Sequence, residues 1–467
     1  MNKKVLIGIP VAVIVVILIG AVVINAGSLL DSENEIVIIE FDTAKAGQHV
    51  KELVQWGPRM TASEAEQNGA EYIAAQFEDA GLEEVHIETF QVPMFDVKRA
   101  QVSLVEYYPF KNIPRPLGQT IRFEHLTEFV MQGYSGSYNW GSFRGDLDVV
   151  NIGDGTDEGS YSRAKGRVCF VEQTGDTPPN AELYFTAYEA GVEAIILQNT
   201  WRGENLGYLP MFKTNQNPVG YQNYPDIPFF MVSKDMGNEI LDRTSGSYKL
   251  RMNIQVEIGN MDCNVVVGDI VGSKNPDEYV LFTAHHDTCY NTIGAIDNTV
   301  GPASLIEMAR GLSVHNPKRT IRFVTFSGEE EGLYGSKEYH AAHKGEFDGK
   351  LKIVMNFDMA HTDLEAMTVG MVTNDNGTLK QIENIGNELL DREPELSKYT
   401  INYSFDTLQI PYSDYWPFTN DGHKAVAAWG SGCEEYHTYL DNLDNLNPES
   451  MQIEGRILGS YALMAAS

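Results

Sequence analysis

The sequence predicts an α/β fold: a mixed, mostly parallel sheet with helices on both faces, interrupted by a β-rich insertion and preceded by a membrane-spanning helix. Three features carry that expectation. From Val265 onward, strand-length apolar runs alternate with helical periodicity. Between about residues 98 and 259 the runs are short and broken by Gly, Pro, Asn and Asp. The first residues hold an uncharged run from Val5 to Ala26.

In chain order, that run comes first. Its 22 residues suffice to cross a bilayer as a helix. Lys3 and Lys4 precede it and Asp31-Ser-Glu-Asn-Glu35 follows, which places the N-terminus in the cytoplasm and the remainder outside. The expectation is a single-pass protein of the cell membrane with an extracytoplasmic body. Cleavage near Ala26 would instead give a secreted protein, but signal-peptide cores usually run only about 7–15 residues.

Across 467 residues, 43% hydrophobic and 10% aromatic content suffices for two or three packed units. A net charge of −31 argues against nucleic acid as a partner, because phosphate recognition needs a positive surface. The four cysteines, Cys169, Cys263, Cys289 and Cys433, contain no C-x-x-C pair and make no disulfide framework. Packed thiols are expected, with a Cys289–Cys433 bridge open in an oxidising compartment. Nothing in the sequence sets an oligomeric state.

Ser63 and Glu66 form a capping box ahead of a helix whose buried face is Ala70, Ile73, Ala74 and Phe77, and Gly81 stops it. Val85–Val97 alternates as a strand. The middle region offers strands at Val149–Ile152, Val168–Val171, Ala194–Leu197 and Phe229–Val232, with a helix at Glu182–Ala190. After Val265, strands at Tyr279–Ala284, Ile321–Phe326 and Leu351–Phe357 alternate with helices at Thr299–Leu312 and Tyr334–His343.

Open α/β sheets bind ligands beyond the carboxyl ends of their strands. There stand His285-His-Asp287, Glu329-Glu330 and Asp358. Asp297 precedes a helix in Gly294-Ala-Ile-Asp-Asn298, and His437 follows a long loop in Tyr436-His-Thr-Tyr-Leu-Asp441. Carboxylates with two imidazoles are a set that a borderline cation such as zinc accepts. Singly, each reads as a helix cap, a surface histidine or a solvated face; three such clusters at three successive strand ends point to one site. His340-Ala-Ala-His343 lacks carboxylate support and reads as a solvated helix face. His286 reads as packed, His361 as lining the pocket, and Glu331 as a third, non-ligating acid. No H-E-x-x-H, G-x-S-x-G or G-x-G-x-x-G segment occurs.

The phrases Ala284-His-His-Asp-Thr288, Gly294-Ala-Ile-Asp-Asn298, Ser327-Gly-Glu-Glu-Glu-Gly-Leu333, Asn356-Phe-Asp-Met359 and Tyr436-His437 resemble the co-catalytic di-zinc aminopeptidase family. That family also holds glutamate carboxypeptidases, glutaminyl cyclases and a non-catalytic receptor. The resemblance covers residues 35–97 and 260–467, including Gly57-Pro-Arg59. Residues 98–259, with Ala164-Lys-Gly-Arg-Val-Cys-Phe-Val171 and Ile227-Pro-Phe-Phe230, resemble an inserted protease-associated domain.

The resemblance implies a zinc exopeptidase fold with two zinc ions per chain. Asp297 would bridge them, His285 and Asp358 would complete one, and Glu330 and His437 the other. Asp287 would orient His285, Glu329 would be the general base, and the Asp297–Asn298 peptide would be cis. Tyr436, beside a ligand, is the candidate oxyanion donor. The implied activity is hydrolysis of N-terminal residues from peptides, with acids such as Asp414, Glu434 or Glu435 holding the free ammonium. Between Asp414 and His437 Lys424 is the one fixed cation, which counts against a carboxypeptidase and leaves a dipeptidase open. A one-zinc glutaminyl cyclase and a non-catalytic receptor are the remaining alternatives.

Overall fold

The structure, a computed structural model, describes residues 36–108, 113–141, 145–215 and 226–467. The expected anchor, residues 5–26, lies outside them; among the described residues no helix is long and apolar enough to cross a membrane. Of two compact units, Met1–Ile38 is described at 36–38 alone, without helix or strand; everything below concerns Ile39–Ser467.

Helix α1 (Thr43–Val54) starts at Asp42, whose carboxylate accepts the Ala44 and Lys45 N–H groups. Helix α2 (Glu64–Asp79) starts at Ser63, whose hydroxyl accepts the Glu66 N–H. The Glu66 carboxylate points inward, onto His286 and the Asn264 amide.

Strand β1 (Glu83–Glu106) runs well past the expected end at Val97 and pairs antiparallel with β9 (Tyr248–Ile270) along its length. The far half of this ribbon buries Val102 and Leu104 together with Leu250, Met252 and Ile254 against a second sheet. One ribbon thus serves two cores. Its edge takes β2 (Thr120–Phe123), and the second sheet follows: β3 (Phe129–Met131), β5 (Val149–Asn151), β6 (Val168–Glu172), β7 (Ala194–Gln198) and β8 (Phe229–Val232). Their order is β3-β8-β7-β6-β5, parallel from β8 to β5. Helices α3 (Asn180–Glu189) and α4 (Lys234–Thr244) accompany it. The region read as β-rich is itself α/β. Its runs Val-Cys-Phe-Val, Ala-Ile-Ile-Leu and Phe-Phe-Met-Val are buried throughout, the signature of parallel strands covered on both faces.

The remaining strands are β10 (Asn275–His285), β11 (Arg319–Phe326), β12 (Leu351–Phe357), β13 (Thr368–Thr373), β14 (Thr400–Phe405) and β15 (Ala425–Gly430). The main sheet runs β14-β13-β15-β12-β10-β11-β9-β1-β2, with β4 (Tyr138–Asn139) against β9. Its centre, β11-β10-β12-β15, is parallel. The expectation of a mostly parallel sheet holds there and at the β13–β14 edge pair. Pairs β11–β9, β9–β1 and β1–β2 are antiparallel because the ribbon folds back beside β11, and β13–β15 is antiparallel on the other side of the sheet.

Helices α5 (Val300–Ser313), α6 (Tyr334–Phe347), α7 (Asn376–Arg392), α8 (Trp416–Asn420) and α9 (Pro448–Ala465) complete the domain. Both faces of the sheet are covered. Leu281 packs with Tyr339 and Phe347 of α6. Its neighbour Phe282 stacks on Phe323 at 5.1 Å, which in turn meets Phe77 of α2 at 5.8 Å. Successive strand residues point to opposite faces, so α6 and α2 lie on opposite sides.

Candidate active site

Strands β11, β10 and β12 are neighbours, with His285 beside Phe326 and Thr283 beside Asn356. Their carboxyl ends therefore deliver His285, the Ser327–Glu331 turn and Asp358 to one place. Asp297 enters from the β10–α5 connection. That connection turns at Gly294 (φ +54), where a Cβ would stand 2.2 Å from the Asp297 carbonyl oxygen. The Asp297–Asn298 peptide is cis. His437 arrives on the loop after β15.

His285 Nε2 lies 3.4 Å from Asp297 Oδ1 and 3.5 Å from Asp358 Oδ1. His437 Nε2 lies 3.1 Å from Asp297 Oδ2 and 3.0 Å from Glu330 Oε2. Asp297 thus turns one oxygen to each group. Donor atoms of His285, Asp297 and Asp358 fall within 4.8 Å of one another, and so do those of Cys289, Glu330 and His437. By sequence Cys289 reads as a packed thiol. It is buried and unbridged, as are Cys169 and Cys263, and its Sγ faces the second group.

This donor set fits a divalent cation. Both ring nitrogens of His285 and Oε1 of Glu330 are buried without a hydrogen-bond partner, which is costly unless something else occupies their lone pairs. His437 Nδ1 stands 2.8 Å from the Phe212 carbonyl oxygen, which fixes that nitrogen as the donor and leaves Nε2 as the free lone pair. His285 Nδ1 is 3.4 Å from Asp287 Oδ1. The other Asp287 oxygen accepts the Glu330 N–H at 3.2 Å, so Asp287 ties two donor segments together.

The electrostatics describe a site short of positive charge. Burial opposes a charged His285, yet Glu329, Asp358, Asp287 and Asp297 push its pKa well above the ordinary value. Burial also pushes the Glu329 carboxyl well up, with Asp358, Glu330 and Asp414 adding to it against the pull of His285. Asp297 is held below the carboxylate range: burial opposes this, but His285 and His437 face its two oxygens at 3.4 and 3.1 Å. Protons gather where a cation would serve.

Tyr436 stacks on His437 with ring centroids 3.7 Å apart, and its hydroxyl oxygen accepts from Lys213 Nζ at 2.7 Å. Lys213 and Phe212 belong to the stretch between β7 and β8, so the second sheet's connections reach into the site. Burial lowers the Lys213 pKa.

A cavity of about 620 Å³ opens on the donors, with Asp297, Glu329 and Asp358 at one end and apolar walls including Phe405, Leu408 and Trp429. The acids expected to hold an ammonium are not on its wall. Asp414 is buried with unpartnered oxygens, and burial pushes its pKa up to about 7. Glu434 accepts twice from the Asn205 amide, and Glu434 and Glu435 line a different cavity. An acid near the site in sequence need not face it.

His361 also differs from expectation. Its Nε2 accepts the Asn447 N–H at 2.7 Å, away from the cavity, and burial pushes its pKa down to about 4. A depressed folded pKa gives stability that is complete above the unfolded value, about 6.5, and is lost as pH falls through about 4. The thermal midpoint is therefore expected to drop across that window, and less steeply in His361→Gln. Equal slopes in a pH series of melting curves would refute this.

Two supports escaped the sequence reading. The Asp441 oxygens accept the Ile296 and Asp297 N–H groups at 2.8 and 2.9 Å, fixing the Asp297 loop. Asn298 Nδ2 donates to the Phe357 carbonyl at 2.8 Å and its Oδ1 accepts the Met359 N–H at 3.0 Å, clamping that loop to the end of β12. The sole signal was position: each lies within a quoted motif, but carries no periodicity of its own.

Residues 264–462 match the family model described as Peptidase family M28. Aminopeptidase YwaD of Bacillus subtilis (strain 168) is 26% identical over 451 residues, 93% of this chain and 86% of that protein. Carboxypeptidase Q of Mus musculus is 24% identical over 321 residues, spanning 65% of this chain and 62% of that protein. Among solved structures, a zinc aminopeptidase from Bacillus subtilis superposes with a TM-score of 0.71 at 20% identity, covering 92% of this chain and 96% of the other. A Peptidase M28 precursor from Shewanella amazonensis gives 0.68 at 20% identity over 91% and 93%. At that identity the likeness shows a shared fold. With the motif order and the donor geometry above, the match of residues 264–462 to peptidase family M28 and the aminopeptidase relatives support a zinc-dependent exopeptidase.

Proposed function

We propose that the protein removes N-terminal residues from peptides at a centre of two zinc ions, favouring large apolar side chains. The observation that carries this is the apolar cavity of about 620 Å³ opening directly on Glu329, Asp297 and Asp358. His285 and Asp358 would hold one ion, Glu330 and His437 the other, with Asp297 between them. When bound, the pair polarises the scissile carbonyl and acidifies a water.

The chain's own residues do the rest. Glu329, on the cavity wall beside Asp297 and Asp358, takes a proton from the attacking water and returns it to the leaving amine. Tyr436, whose oxygen is already engaged by Lys213, donates its own proton to the developing oxyanion. Asp287 and the Phe212 carbonyl keep the two imidazoles oriented. Tyr436→Phe is expected to lower kcat by about 10²–10³-fold with KM and zinc content nearly unchanged. Loss of zinc in that variant would give Tyr436 a packing role instead.

A dipeptidase is the second reading, favoured by one observation. Lys213, with Glu330, Tyr436 and His437, lines a smaller cavity where a cation would meet the carboxylate of a short substrate. The test is zinc content alongside hydrolysis of free, N-acetylated and C-amidated peptides. Two zinc ions and cleavage of every unblocked N-terminus supports the aminopeptidase. Failure on C-amidated dipeptides supports the dipeptidase. One ion with pyroglutamate formation, or no hydrolysis, returns the cyclase or the receptor.

We further propose that residues 98–259 are a protease-associated insertion and that Val5–Ala26 anchors the body outside the cytoplasm. The full chain is expected to stay in the membrane pellet after alkaline carbonate washing; release into the wash would point to a cleaved signal.

A further inference from the structure

A second group of metal-binding donors lies outside the active site, where α6 meets the turn after α8. His340 Nε2 is 3.4 Å from Asp421 Oδ2, and His423 Nε2 is 3.9 Å from the same oxygen. One donor atom from each of the three falls within 4.8 Å of the others.

By sequence His340-Ala-Ala-His343 has no carboxylate beside it and reads as a solvated face. The structure separates the pair. His343 turns to Glu88 at 3.0 Å and Glu346 at 2.7 Å. His340 is 8% exposed, its ring edge-on to Phe418 at 5.0 Å, and its buried Nε2 has no hydrogen-bond partner. The missing carboxylate comes from Asp421, far along the chain.

We propose that His340, Asp421 and His423 form a further metal site, separate from the catalytic donors, that takes a divalent transition ion such as zinc. Two imidazoles and a carboxylate are a ligand set this class of ion accepts, and the partly exposed Asp421 and His423 leave room for water as a fourth ligand. The charged groups facing the site are Lys344 and Asp348. Lys344 binds Oδ1 of Asp421, leaving Oδ2 to the histidines, and Asp348 adds negative charge beside His423. Lys344 is therefore the built-in competitor. It is largely exposed, so it can swing away.

The position gives the ion a consequence. Helix α6 begins just after the Glu329-Glu330 turn, and α8 begins two residues after Asp414. A bound ion would tie the middle of α6 to the turn that ends α8, and α6 starts directly after the turn that carries Glu329 and Glu330.

The full-length chain, stripped by chelator and dialysed against buffered micromolar zinc, should bind one more ion than His423→Gln or Asp421→Asn. This difference is independent of how many ions the catalytic donors take. Asp297→Asn should lose catalytic zinc and keep the peripheral ion, and copper added to that variant should show nitrogen hyperfine coupling by EPR. That coupling should vanish in Asp297→Asn/His423→Gln, and Lys344→Gln should tighten the peripheral binding several-fold. Equal zinc content in wild type, His423→Gln and Asp421→Asn, all folded by circular dichroism, would overturn the proposal.

Discussion

Replacing Glu329 with Gln is expected to lower kcat for peptide hydrolysis by about 10²–10⁴-fold while zinc content stays at the wild-type level. Glutamine keeps the shape and cannot carry the proton. The neighbouring Glu330→Gln should behave oppositely, losing zinc first, because its Oε2 lies 3.0 Å from His437 Nε2 and its Oε1 has no other partner. The pair discriminates between two adjacent acids that composition alone makes equivalent. If Glu329→Gln were the variant that lost metal, the roles of base and ligand would have to be exchanged.

The second large effect is expected at Arg59, far from any reacting atom. Arg59 is fully buried, and its guanidinium donates to the carbonyls of His286, Leu53 and Ile293 and to the Thr299 hydroxyl. Burial lowers its pKa to about 10, against the pull of Asp287, Asp441 and Glu66, so it remains charged at neutral pH. Arg59→Ala strands three carbonyls at about 1–3 kcal/mol each. A loss of about 3 kcal/mol or more in urea unfolding is expected, together with weaker zinc binding, because His286 and Ile293 flank the loops that carry His285 and Asp297. Lysine should rescue little, lacking the planar fork. An unchanged urea midpoint in Arg59→Ala would show that water replaces the guanidinium.

What could be read from the sequence was whatever repeats or terminates. The ends of β10, β11 and β12 were legible because apolar runs stop abruptly at His285, Phe326 and Phe357, and polar donors follow at once. Contacts made by single residues across large sequence separations were not. Nothing in Met211-Phe-Lys213 announces that one carbonyl will hold a metal-binding histidine and one amine a tyrosine more than two hundred residues later. Asp421 gave no sign that it would meet His340, and Asp414, close to the site in sequence, faces inward. The length of β1 was missed because the alternation after Val97 serves a different core, so the change in packing partner looked like a change in structure.

The β1–β9 ribbon bears on how substrate reaches the catalytic donors. A gate needs a hinge, and the ladder joining the two sheets is interrupted near their junction by one irregularity, between Val97 and Arg99. A beam of paired backbone resists bending everywhere except at such a knuckle. The stretch that carries Phe212 and Lys213 lies on the second sheet's side of that knuckle, yet Phe212 exchanges hydrogen bonds with His437 at 3.1 and 2.8 Å, so bending there would have to break this latch before the doorway widened.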